Sequence, residues 1–378
     1  LDNQIKELRF SEQREIVRIL LEFTDFLRPY IPDLLNAAKY LGEIDFIMAK
    51  AQIALDFIAG MPIISDDGQM NLRKARHPLL ERALRKEKKE IVPLTATLTP
   101  EKQSLVYGIT GGIPHYINKL DVYEDVDEAL KENLFNTSSY LYEEPENLLK
   151  QELREPAIYN SVITAIAGGA SHSNEIATKV GIEQAICAKY LKVLLDLGII
   201  KKETPITEKP GKKTIYTIGD NFFRFWYRFV PQNTSAISAG RIEQIYEPVI
   251  KRHLSDYMGL VFEQMCREYL LRYANDLPII VSDIGQWWGT DSKAKKEVQI
   301  DIVGSPVEGD EYIIGSCKYR NDPIGVDELE LIRHYAEVFG KGKKYHFYIF
   351  SKSGFTKGLQ ELGDQGEVKL ITLNDMYR

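Results

Sequence analysis

Apolar residues recur at Ile5, Leu8, Ile16, Ile19, Leu20, Phe23 and Leu27, close to the 3.6-residue period of a helix. Pro29 and Pro32 interrupt that pattern, and "DLLNAAKYLGEIDFIMAKAQIALDF" resumes it to about residue 58, which predicts a helical bundle. From about Thr99 the register changes, and short helices are expected around a turn at Gly111-Gly112. Downstream, three helical patterns precede two short strands, "GIIKKE" and "KTIYTIG". The first helix spans about Pro156–Ala167, Ser173 is the expected cap of the second, and Gly181 makes the turn. The third is expected to bury Ile186, Tyr190, Val193, Leu194 and Leu197. In "NFFRFWYRFV", Phe222, Phe225, Trp226 and Phe229 form a core stripe with Arg224 and Arg228 outside it. The last third reads as a helix, three strands ending in "PIIVSDIGQWWG", "KKEVQIDIVG" and "EYIIGSCKYR", a second helix and a further strand.

Composition narrows the setting. The 378 residues suffice for two or three domains, and 44% hydrophobic with 27% charged residues is ordinary for a soluble globular chain. A net charge of −7 gives no overall basic field, so any nucleic-acid surface must be a local patch. Cys187, Cys266 and Cys317 are widely spaced in apolar surroundings, without a CxxC pair, which points to a reduced cytoplasmic protein lacking structural zinc. No apolar run approaches a membrane span.

The order helix, helix, turn, helix and two-stranded ribbon is that of a winged helix-turn-helix. Its ribbon loop carries Lys209, Lys212 and Lys213, and its third helix Lys189 and Lys192, all able to meet phosphates. Gln184 is the best candidate for reading a base edge. Further on, Asp301 lies in one apolar strand, and Ser316 and Lys318 point to one face of the next, about 7 Å apart. Cys317 points the other way, and Glu297 lies too far along the strand to help Asp301.

Two family resemblances emerge from these words. "LGEIDFIMAKAQIALDF", "PIISDDGQMNLRKARHPLL" and "EIVPL" closely resemble the second MutS subfamily, DNA-bound ATPases that suppress recombination, over roughly residues 1–94. From about 99 to 378, "GGIPHYI", "DNFFRFWYRFV" and "GSCKYR" resemble an archaeal and bacterial family of AAA-class ATPases. That family's ATPase domain is followed by a winged helix and a nuclease-like domain of unknown function. The resemblance implies a helical remnant of an AAA-type lid over 99–150, a winged helix over 151–230, and a PD-(D/E)xK nuclease-like domain over 240–378. The fold class is therefore a multidomain α+β chain with an N-terminal helical segment, a central winged helix-turn-helix and a C-terminal restriction-endonuclease-like α/β domain.

Carried over residue by residue, Glu263 matches that nuclease fold's first-helix acid, Asp301 its central acid and Lys318 the lysine of its E-x-K word. Ser316 stands where a carboxylate belongs. Glu263 and Asp301 are the implied ligands for Mg²⁺, and a serine hydroxyl is a weak substitute for an anionic oxygen. A glutamate at position 316 is the change expected to complete the site. No G-x-x-x-x-G-K-S/T phosphate loop occurs, and "GITGGIPH", "AGGASHS" and "GKGKK" lack its lysine-hydroxyl pair, so no ATP binding is expected. The expected function is DNA binding without efficient catalysis. The rivals are a Mg²⁺-dependent endodeoxyribonuclease using Glu263, Asp301 and Lys318, a fragment that serves a separate ATPase subunit or self-associates, and an unintegrated gene fusion.

Overall fold

The computed structural model describes residues 2–65, 69–91, 93–120, 125–211 and 213–377. Residues Leu1–Ile64 form one compact unit and Ser65–Arg378 another.

In the first unit, α1 (Asp2–Leu27) passes through a 3₁₀ turn (Arg28–Tyr30) into α2 (Ile31–Phe57). The prolines fall in the turn and at the start of α2, where a missing N–H costs no helical hydrogen bond. The periodicity gave the helices but not the bundle core expected of them. None of the described side chains of this unit is buried, and Ile5, Leu8, Ile16, Ile19, Leu20 and Phe23 are all exposed. An apolar stripe marks a face for packing; it does not supply a partner.

The second unit opens with β1 (Met70–Ala75), α3 (Pro78–Lys86) and β2 (Leu94–Leu98), the strands pairing antiparallel. Four helices follow: α4 (Pro100–Thr110), α5 (Pro114–Leu120), α6 (Val126–Asn133) and α7 (Tyr140–Glu152). Thr99 caps α4, and Gly111 and Gly112 end it at φ 65° and 76°, a turn that glycine makes at low cost.

Next come α8 (Pro156–Ala167), α9 (Ser173–Val180), α10 (Gln184–Asp196), β3 (Ile200–Glu203), β4 (Ile215–Ile218) and α11 (Asn221–Phe229). Ser173 is the first residue of α9 rather than its cap. Glu175 takes that work, its carboxylate accepting the N–H groups of Ser171 and His172. Helix α11 is buried more fully than its stripe predicts. Phe223 and Tyr227 are inside as well, and Arg224 is half-buried, donating to the Ile218 carbonyl.

Helix α11 ties its neighbours together. Phe222 stacks on Tyr116, Trp226 Nε1 donates to the Tyr142 carbonyl at 2.9 Å, and Phe225 packs edge-on against Tyr257. The Tyr257 hydroxyl donates to the carbonyls of Gly108 and Asn221, so one core runs from Leu98 to Val261.

Short helices α12 (Thr234–Ser238) and α13 (Ile242–Ile245) and a π-helical turn lead into the long α14 (Arg252–Arg272). A mixed five-stranded sheet follows, with β5 (Val281–Asp291), β6 (Lys296–Pro306), β7 (Glu311–Lys318), β8 (Lys344–Ser351) and β9 (Lys369–Thr372) in spatial order. The first three are antiparallel, and β7, β8 and β9 run parallel through α15 (Val326–Phe339) and α16 (Lys357–Asp364). Helix α15 covers one face over Val303, Ile314 and Ile349; α14 covers the other over Ile302, Ile313 and Phe350.

Two irregularities matter later. Gly285 pairs with Val303 but Trp287 with Ile300, so β6 carries one extra residue, a bulge next to Asp301. Beyond β3, the Ile206 N–H donates to the Gln286 carbonyl at 2.9 Å, docking the end of the β3–β4 ribbon on β5. A side chain at Gly285 would sit 3.2 Å from Ile206 Cβ, so glycine permits that approach. The observed architecture is mixed α/β, with N-terminal helices and a C-terminal mixed sheet.

Candidate active site and nucleic-acid interface

Strand alternation places Ser316 and Lys318 on the α15 face of β7 and Cys317 on the α14 face, beside Cys266. Asp301 sits at the bulge. Its Oδ2 accepts the Cys317 N–H at 3.0 Å and lies 3.4 Å from Ser316 Oγ. The same hydroxyl donates to Glu328 Oε1 at 2.7 Å, and Lys318 Nζ is 3.2 Å from that oxygen. Glu328, only 6% exposed, lies in the first turn of α15. It was not among the residues the sequence singled out. Its signal was an acid opening the helix that follows the Ser-Cys-Lys strand, which only the crossover folds back over Ser316.

Glu263 reaches the cluster from α14, near enough to Asp301 for the two charges to repel. Its carboxylate is 3.7 Å from Arg267 Nη1, which donates to the Asp301 carbonyl at 2.9 Å. With its amide turned so that the oxygen faces Arg267, Gln286 accepts from Nη1 and Nη2 of the same guanidinium, at 3.0 Å each. Burial first, and the Asp301 charge second, push the Glu263 carboxyl up to about 7 against the pull of Arg267 and Lys318. Burial likewise raises Asp301, opposed by Lys318 and the Cys317 N–H. For Lys318, burial works against the charge, but Asp301 and Glu328 hold the ammonium above the usual lysine range. The cluster is thus short of positive charge.

Asp301 and Glu328 share one hydroxyl and present hard oxygen donors, the kind Mg²⁺ accepts in ones and twos while keeping its waters. Among the described residues, no three of His, Cys, Asp and Glu converge as a ligand set. Of the two acids expected to hold the ion, Asp301 feels the charge of Glu328 and in turn raises Glu263, which also lies 3.7 Å from Arg267 Nη1. Glu297 is exposed near the far end of β6.

The candidate DNA contacts lie elsewhere. Helix α10 buries Cys187, Leu191 and Leu194, with Tyr190 and Val193 half-buried. Ile186 and Leu197, expected inside, are 41% and 40% exposed: the true stripe is turned by about one residue. Lys189 and Lys192 are exposed on the opposite side, and Gln184 is exposed in the first turn, three residues before the buried Cys187. Gln184 also lines a cavity of about 640 Å³ with His172, Lys202 and Tyr216. Lys209 is exposed in the ribbon loop, Lys213 is exposed but paired with Glu208 at 2.5 Å, and Lys212 lies outside the described residues. Among the described residues, no helix is long and apolar enough to cross a membrane.

Residues 226–332 match DUF234, a family described as archaeal and bacterial proteins of unknown function. The span contains Glu263, Asp301, Ser316, Lys318 and Glu328. Endonuclease MutS2 of Brevibacillus brevis is 39% identical over 111 residues, covering 29% of this chain and 13% of that protein. A solved structure, protein VC1899 from Vibrio cholerae, is similar over 63% of this chain and 52% of its own, at 12% identity and a TM-score of 0.28. The uncharacterized protein MJECL04 of Methanocaldococcus jannaschii is 30% identical over 379 residues, spanning 98% of this chain and 82% of its own. With that coverage, the chain belongs to the family of the M. jannaschii protein.

Proposed function

We propose that this is a DNA-binding protein in which α8, α9, α10 and the β3–β4 ribbon act as a winged helix, beside a nuclease-like domain. The observation that carries the reading is the free face of α10. Lys189 and Lys192 are exposed there, one turn apart, and neither has an acidic partner among the described residues. A helix so equipped enters a major groove with its lysines on flanking phosphates and Gln184 toward the bases. The partial likeness to a protein named an endonuclease supports a DNA-related role.

The test is salt-dependent binding of duplex DNA. Lys189→Glu with Lys192→Glu should weaken affinity for all sequences alike and flatten the log–log salt slope by about 1.8, at about 0.9 per phosphate contact. An unchanged slope removes α10 from the interface.

Glu328 favours a second reading, a metal-dependent endonuclease. It brings a carboxylate to the Ser316 hydroxyl, where the nuclease-like pattern lacks one. Asp301 and Glu328 would hold a Mg²⁺ ion, whose contribution is to polarise the phosphate and acidify a bound water. Lys318, kept protonated by the two carboxylates, offers its ammonium to an anionic oxygen. This reading expects nicking of a supercoiled plasmid in Mg²⁺ or Mn²⁺, abolished by Asp301→Ala. Binding without nicking in either metal leaves the first reading alone.

A further inference from the structure

Trp287 and Trp288 are adjacent on β5, and the strand sends them to opposite faces. Trp287 is a core residue, edge-on to Phe339 at 5.5 Å. Trp288 belongs to neither hydrophobic cluster of the sheet. It is half-buried and lines a cleft of about 330 Å³ between the ribbon strand β3 and the α14 face of the sheet. Lys201 and Lys202 line the cleft from the ribbon side, and Gln264, Arg267 and Gln286 from the other.

Three features make this more than a gap. Gln264 Oε1 is buried with no donor, although its amide nitrogen is engaged with Glu268 at 3.2 Å. A buried acceptor left open costs about 1–3 kcal/mol, which a ligand N–H would recover once the Gln264 amide turns into the cleft it lines. The two walls are also fixed to each other, since Ile206 N–H bonds the Gln286 carbonyl and Ile206 packs over Gly285. Lastly, the cleft adjoins the carboxylate cluster, because Arg267 lines it and donates to the Asp301 carbonyl. The lining carboxylates are occupied, Glu203 by Lys201 and Glu268 by Gln264, while Lys202 is exposed, its ammonium 5.5 Å from the centre of the Tyr216 ring and free to swing to the rim.

An indole face, an open acceptor and a lysine at the rim fit a flat heterocycle carrying N–H donors and attached to a phosphodiester. We propose that this cleft takes one unpaired base of a DNA strand, stacked on Trp288, with an N–H of its edge on Gln264 Oε1 and a neighbouring phosphate at Lys202. The proposal rests on the DNA-binding reading and narrows it to strands that are single, gapped or frayed. A base inside a duplex cannot reach a cleft of this kind without leaving its stack.

The experiment compares the full chain on a single-stranded oligonucleotide carrying 2-aminopurine and on a blunt duplex of the same length. Quenching of 2-aminopurine on binding, with the single strand held more tightly than the duplex, is expected. Trp288→Ala should lower single-strand affinity about tenfold and abolish the quenching, base–aromatic stacking being worth about 1–3 kcal/mol. Duplex affinity should change less than about twofold, and Trp288→Phe should retain most of the binding. DNA binding by wild type that Trp288→Ala leaves unaltered on both substrates overturns the cleft proposal but not the winged-helix reading. Equal losses on both substrates, with Trp288→Phe no better than alanine, also overturn it. If wild type binds neither substrate, both readings fall.

Discussion

Ser316→Glu is expected to lower the stability of the second unit by about 3–5 kcal/mol, the cost typical of an uncompensated buried charge. The sequence alone suggested the opposite, a completed nuclease site. But Ser316 is 3% exposed and its hydroxyl is already clasped between Asp301 and Glu328. A glutamate there brings a third carboxylate into a cluster where Lys318 is the one ammonium in direct contact among the described residues. It also overfills a packed site, a separate cost of about 1–3 kcal/mol. Moving the carboxylate instead of adding it should relieve both problems. Ser316→Glu combined with Glu328→Ala restores the charge count and vacates roughly the volume the new side chain needs. Thermal unfolding of the two variants beside wild type checks this. The single variant should melt lower by about 5–10 °C, with most of the loss recovered in the double. A single variant that melts with wild type would mean that Glu328 does not hold the position the geometry gives it.

Glu263→Gln should raise stability at and above neutral pH and leave it nearly unchanged below about pH 4.5. Glu263 titrates near 7 in the folded protein, against an ordinary value of 4.5. Between those two values the folded state keeps a proton that the unfolded chain releases, so stability falls as pH rises through that window. At about 1.4 kcal/mol per unit, the loss by pH 8 has a ceiling of about 3 kcal/mol, and a side chain only 15% exposed is little screened by water. Glutamine keeps the shape without the charge, while Arg267 retains the Asp301 carbonyl and Gln286. Melting profiles from pH 4 to 8 should therefore be flatter for the variant, with a gain of a few degrees at pH 8 and almost none near pH 4. A slope unchanged by the substitution assigns the titration to another group.

How much of this was legible beforehand depends on the range of the interaction. The two-residue period of a strand is local, and it put Ser316 and Lys318 on one face and Cys317 on the other. The glycine turn at Gly111–Gly112 and the span of α8 were legible for the same reason. Glu328 was not, because it reaches Ser316 through a crossover, and nothing local to the strand announces the helix above it. The stripe of α10 was misread by one position because Cys187, small and apolar, competes with Ile186 for the core. The N-terminal helices show the same limit from the other side. Their pattern defined a face, and the fold of this chain leaves that face exposed.

The docking of Ile206 on β5 has a consequence for self-association. Any open sheet has two margins, and a long, straight margin with free N–H and C=O groups invites a strand from another molecule. On the β5 margin the Gln286 carbonyl is already taken by the Ile206 N–H, in the middle of the strand and next to the Gly285 irregularity. The opposite margin, β9, is four residues long. Neither side offers the uninterrupted run that strand exchange or fibril growth requires. The ribbon therefore acts as a guard rail for this sheet, and copies of the protein that meet at its margins would do so through side chains rather than through shared backbone.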